Sequence, residues 1–128
     1  MTESPMEPRP APEAEDLPAV VVLAAESALD RKADEVTALD LRGISSATDF
    51  FVLATGNSDT QVKAIADHVI DELAREGVRP LHVEGKDRGR WVLLDYVDFV
   101  VHILHPSARD FYQLEQLWGD APTRVFTP

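Results

Sequence analysis

The apolar positions of the chain change period several times, and each change marks an element. Val22, Ala25, Ala28 and Leu29 recur at helical spacing, and with Asp16 as a cap and Pro18 tolerated in the first turn they predict a helix up to about residue 33. Residues 20–23 alone would also suit a buried strand, but the alanines that follow favour the helix. Residues 36–41 and 50–55 read as strands separated by the small, polar segment RGISSATD. In TGNSDTQ, Gly56 allows a tight turn, and Ser58 with Gln61 has the spacing of a capping box. The helix that follows carries Val62, Ile65, Ala66, Val69 and Leu73 on one face and stops at Gly77, with Pro80 beyond. Residues 81–84, 90–94 and 99–104 predict three more strands. Ser107 with Asp110 opens a last helix carrying Phe111, Leu114 and Trp118, ended by Gly119 and Pro122. The predicted order, α-β-β-α-β-β-β-α, implies one α/β domain with a mixed sheet of about five strands flanked by helices. There is no internal repeat.

The stretch EGKDRGRWVLLDYVDFVVHILHP raises the functional question. A tight hairpin at DYVD would pair Asp95 with Asp98, Leu94 with Phe99, Leu93 with Val100, Val92 with Val101 and Trp91 with His102. One face would then hold Val92, Leu94, Phe99, Val101 and Ile103, wholly apolar and fit to lie on helices. The other would hold Trp91, Leu93, Asp95, Asp98, Val100 and His102, half apolar and half polar. That second face is the anomaly.

Composition bounds what the face could do. A chain of 128 residues has room for one sizeable core. Residues 1–16 hold Pro5, Pro8, Pro10 and Pro12 with five acids and one basic residue, the makeup of a solvated tail; the domain is placed at 17–120, with a second tail at 121–128. The absence of cysteine excludes disulfides, thiolate metal sites and thiol nucleophiles, and fits a reducing, cytoplasmic setting. The longest apolar runs are too short to cross a bilayer, and no basic segment followed by an apolar run opens the chain, which predicts no export by a signal peptide. A net charge of −11 argues against a protein that grips nucleic acid by its own field and suits a basic partner, although acidity by itself also serves solubility.

The enzymatic readings are each weak. Asp98 and His102 share a face four residues apart, roughly 13 Å of strand, whereas ligands of one zinc all lie within about 2.3 Å of it; His105 points to the opposite face. Asp95 and Asp98 could share a proton, but aspartate at a turn boundary more often bonds the turn backbone. TGNSDTQ leads into a helix N-terminus, where an anion is favoured, yet it lacks the lysine of a phosphate-binding loop and the glycine spacing of a dinucleotide fingerprint. GKDRGR precedes a strand and suits a solvated loop. No serine sits on a nucleophile elbow.

Several pieces in order carry a resemblance: Thr48-Asp49-Phe50-Phe51-Val52, Thr55-Gly56-Asn57-Ser58 with Gln61-Val62, Glu84-Gly85, Trp91, Asp95-Tyr96, Asp98, Val100-Val101-His102, then Arg109, Tyr112, Leu114-Glu115 and Leu117-Trp118. Together, from about residue 19 to 120, the chain resembles the Iojap or ribosomal silencing factor family, RsfS. The resemblance implies a nucleotidyltransferase-like α/β fold without transferase activity. It implies binding to the large ribosomal subunit through large-subunit ribosomal protein fourteen, which blocks joining of the small subunit and represses translation. Residues 81–84 indeed offer no pair of metal-binding acids after the Gly-Ser turn. The chain departs from the family pattern at Val97, where glycine is usual, and at Leu104, where phenylalanine is frequent. Valine is poor where φ must be positive, so the turn is expected to be type I or longer. On this reading the partner-binding residues are Glu84, Gly85, Arg90, Trp91, Leu93, Asp95, Asp98, His102 and Tyr112. No catalytic residue, metal or cofactor is expected, and no membrane or sequence-specific nucleic-acid contact. Two alternatives use the same features: a phosphate- or nucleotide-binding enzyme, and an adaptor that forms a homodimer through the half-polar face.

Overall fold

The clearest helical period in the sequence becomes the longest element. In a computed structural model that describes residues 13–112 and 119–128, helix α2 spans Asp59–Arg75. Ser58 Oγ accepts from the Gln61 amide at 3.0 Å, and Gln61 Oε1 accepts from the Asn57 amide at 2.7 Å, so the reciprocal bond reaches one residue further back than a capping box requires. Val62, Ile65, Ala66, Val69 and Leu73 are all buried. Gly77, at φ +77°, turns the chain out, and the Val78 amide bonds back to the Leu73 carbonyl.

Helix α1 spans Ala19–Asp30, shorter at both ends than expected. Asp16 does not cap it. Pro18 occupies the cap position with extended backbone, and its carbonyl accepts from Val21 and Val22. A proline there can receive the first helical bonds but has no side chain to satisfy the free amides.

The strands are β1 (Asp34–Asp40), β2 (Phe50–Thr55), β3 (His82–Glu84), β4 (Trp91–Asp95), β5 (Phe99–Leu104) and β6 (Thr123–Phe126), with α3 (Pro106–Tyr112) between the last two. They form one mixed sheet in the order β3-β4-β5-β2-β1-β6, in which only the β2–β5 pair is parallel. Six strands stand where about five were expected. The sixth comes from the segment assigned to a C-terminal tail, because four residues are too few for a period to declare itself, and it pairs along β1 from Val36↔Phe126 to Leu39↔Thr123. Ala14, assigned to the N-terminal tail, is buried and donates its amide to the Thr123 carbonyl at 3.0 Å. The packed chain therefore extends beyond 17–120 at both ends. The expectations for residues 1–12, and for the side chains of Phe111, Leu114 and Trp118, fall outside the described positions.

Helices α1 and α2 cover one face of the sheet, where Val92, Leu94, Phe99, Val101 and Ile103 join the main core. On the other face Leu39, Leu41, Leu53 and Leu104 form a second cluster under Ala108 of α3 and Ala121, with Phe51 and Trp91 at its margin. Among the described residues no helix covers the remainder of that face, over β3, β4 and β5.

The β4–β5 hairpin departs from its predicted register. Asp95 pairs with Val100, Leu93 with His102 and Trp91 with Leu104, a shift of two residues. An even shift leaves the strand side chains on their expected faces, so the two-faced pattern holds for all but Asp98, which falls in the turn, although the pairs do not. The cause is the turn: Tyr96 N–H bonds to the Phe99 carbonyl, and Asp98 N–H to the Tyr96 carbonyl across Val97, which sits at φ +75°. This is a γ-turn carried by a valine, a conformation that costs such a residue about 1–3 kcal/mol. Asp95 Oδ1 on the Val97 amide at 2.8 Å and Thr48 Oγ1 on the Val97 carbonyl at 3.1 Å hold it in place.

Candidate partner-binding face

Alternation along β4 and β5 brings Trp91, Leu93, Val100 and His102 to the open face, and β3 adds His82 and Glu84 at its edge. The parallel pairing of β2 with β5 sets Phe51 opposite Val100 and Leu53 opposite His102, which places Phe51 on the same face. Between them lies a shallow groove of roughly 340 Å³, lined by Phe51, His82, Glu84, Leu93, Asp95 and His102 among others. A second hollow of roughly 280 Å³, lined by Glu84, Gly85, Trp91 and Leu93, adjoins it.

His102 is the chemical centre of this face, and its environment makes it inert. It is 4% exposed, with the Phe51 ring edge-on at 4.4 Å between centroids. Trp91 Nε1–H donates to His102 Nδ1 at 3.0 Å. That bond occupies the only lone pair of the neutral ring and puts its proton on Nε2, which is buried without a partner. Burial pushes the imidazolium pKa down to about 4. A histidine whose lone pair is engaged and whose N–H is enclosed cannot act as a base or bind a metal; here it orients the Trp91 indole.

The depressed pKa has a measurable consequence. Unfolded, His102 takes a proton near its ordinary value of 6.5; folded, only near 4. Between these values the unfolded chain binds more protons, so stability is full above about 6.5, falls as pH drops towards about 4, and loses no more below it. From pH 7 to pH 5 the histidine should remove about 2 kcal/mol of stability. Urea unfolding of His102→Leu should show a shallower decline than the parent over this range, and parallel declines would mean that the ring is protonated in the fold.

The remaining predicted residues divide. Asp95 serves the turn backbone, as aspartate at a turn boundary does. Asp98 lies in the turn itself, exposed and off the strand, so no carboxylate pair forms. Glu84 is exposed on the edge strand, 3.3 Å from His82. Arg90 points along the other end, where its guanidinium donates to Ser107 Oγ beside His105. Gly85 contributes shape: at φ +84° it lets the backbone pass so close to β4 that a Cβ would stand 2.0 Å from the Trp91 carbonyl oxygen. The Tyr112 side chain lies outside the described positions. Thus Glu84, Gly85, Trp91, Leu93, Asp95 and His102 come together, while Arg90 and Asp98 do not. Phe51 and His82 were missed, because their membership depends on strand pairings that no local period announces.

The turn before α2 is occupied by its own side chains. Ser58 is the cap, Asn57 Nδ2 donates to Asp34 Oδ2 at 2.9 Å, and Gln61 Nε2 donates to the Arg31 and Lys32 carbonyls. Buried Arg109, by contrast, is structural: it reaches from α3 to the Glu35 carbonyl at 2.7 Å and to Thr55 Oγ1 at 2.9 Å. Among the described residues no helix is long and apolar enough to cross a membrane.

The chain has clear relatives. A family model described as ribosomal silencing factor during starvation, RsfS, matches residues 14–127. The ribosomal silencing factor RsfS of Bacillus subtilis is 45% identical over 103 residues, which is 80% of this chain and 87% of that protein. That of Halalkalibacterium halodurans is 48% identical over 102 residues, 79% of this chain and 86% of its own length. A crystal structure of a protein from Chromobacterium violaceum matches with a TM-score of 0.78 at 35% identity, covering 89% of this chain and 95% of that one.

Proposed function

Because this chain belongs to the RsfS family of ribosomal silencing factors, we propose that it binds the large ribosomal subunit through ribosomal protein fourteen. There it blocks joining of the small subunit and represses translation in the cytoplasm, without catalysis. The observation that carries this reading is the open half of the sheet: Trp91 and Leu93 offer partly exposed apolar surface beside the carboxylates of Glu84 and Asp95, on a chain of net charge −11. Apolar anchors inside an acidic rim suit a basic protein partner, with the charges governing encounter rate and register more than affinity. His102, at the centre of the face, supplies no base for a reaction, since its lone pair is engaged by Trp91.

The test is subunit joining. Purified large subunits, preincubated with the protein and then mixed with small subunits, should sediment as separate particles in a sucrose gradient, whereas untreated subunits couple. Full coupling at saturating protein would refute the block.

A further inference from the structure

The helix layer, on the far side of the sheet from the open face, carries a separate convergence of ligating groups. Asp30 is the last residue of α1, and His68 and Glu72 stand one turn apart on α2, so that both project to the same side. One ligand atom from each lies within 4.8 Å of the other two, and His68 Nε2 is 3.4 Å from Asp30 Oδ2. The side chains of His68 and Glu72 are 19% and 25% exposed, so two of the three are partly withdrawn from water.

We infer that Asp30, His68 and Glu72 form a binding site for a divalent cation of the zinc class, with water completing the coordination. Tetrahedral ligands about 2.0–2.2 Å from zinc stand roughly 3.4 Å apart. The Asp30–His68 edge already has that length, and the longest edge of the triangle needs a contraction of at most about 1.5 Å, within the reach of a glutamate rotamer. Electrostatics point the same way. Asp30 and Glu72 both lie in the last turn of their helices, where the helix dipole is negative and a carboxylate is disfavoured. Arg75, 3.3 Å from Glu72 and 77% exposed, offsets part of this and is free to swing aside. A dication would offset both carboxylates at once and would tie the end of α1 to α2. One imidazole with two carboxylates is a donor set for zinc, cobalt or nickel rather than magnesium, which prefers oxygen ligands.

The test uses the tag-free full chain. Zinc titrated calorimetrically should bind at one equivalent. Cobalt(II) should develop the visible absorption of a four-coordinate site. Zinc at about a hundredfold excess over its Kd should raise the unfolding midpoint by roughly 5–10 °C. His68→Gln and Glu72→Gln should each weaken binding at least tenfold and remove the thermal shift, whereas His82→Gln should change neither. Absence of saturable binding would overturn the assignment. So would binding that survives His68→Gln and disappears with His82→Gln, since the cation would then sit at the exposed His82–Glu84 pair.

Discussion

Gly85→Ala is expected to destabilise the fold by about 3 kcal/mol or more. Two costs add. The left-handed backbone at φ +84° penalises any L side chain by about 1–2 kcal/mol. The new Cβ would also stand 2.0 Å from the carbonyl oxygen of Trp91, and that oxygen belongs to β4, so relief requires a strand to move. Gly43 separates the two terms: it has a similar φ of +80° with nothing within 4 Å of a Cβ, so Gly43→Ala should cost only about 1–2 kcal/mol. Urea midpoints of the two variants give the comparison. Equal losses would mean that the approach of residue 85 to β4 is looser than the structure has it.

The second large effect concerns binding. Trp91 lies between the second core cluster and the open groove, half-buried, with its N–H committed to His102. Truncating a tryptophan in such a position commonly removes about 2 kcal/mol of binding, and about 1.4 kcal/mol is a factor of ten. Trp91→Ala should therefore weaken large-subunit binding at least roughly tenfold. Trp91→Phe keeps most of the ring surface and loses only the bond to His102, so it should bind nearly as the parent does. Circular dichroism of both variants should match the parent, which separates a binding loss from unfolding. If Trp91→Ala binds normally while folded, the indole belongs to the core and the anchor lies elsewhere on the face.

What could be read from the chain follows from the range of the forces involved. Helix α2 was legible in full because its stripe, its serine cap and its terminal glycine are all local. Strands β2 and β5 were legible to the residue, since β-branched and aromatic runs bounded by polar segments need no partner to be recognised. The division of the hairpin into a core face and an open face survived an error in register because the side-chain period is two and the error was even. For that reason Trp91, Leu93 and His102 were correctly placed together, while Asp98, whose position depended on the turn, was not. Val97 hid the turn: a valine at positive φ is a choice that local propensity rejects and that Asp95 and Thr48 enforce. Strand β6 and Phe51 were illegible for a different reason. Each gains its place from a pairing distant in sequence, with β1 and β5 respectively, and neither carries a pattern of its own. The inertness of His102 required the same long-range information, since it rests on Trp91 and on enclosure by neighbouring strands.

The central claim is that the open sheet face, and not the helix layer, meets the large subunit. A photo-crosslinking residue placed at Leu93 tests it most directly, with a second variant carrying the same residue at Glu26 on α1 as the control. After irradiation with purified large subunits, the account predicts a crosslink from position 93 to ribosomal protein fourteen and none from position 26. A crosslink from position 26 alone would contradict it.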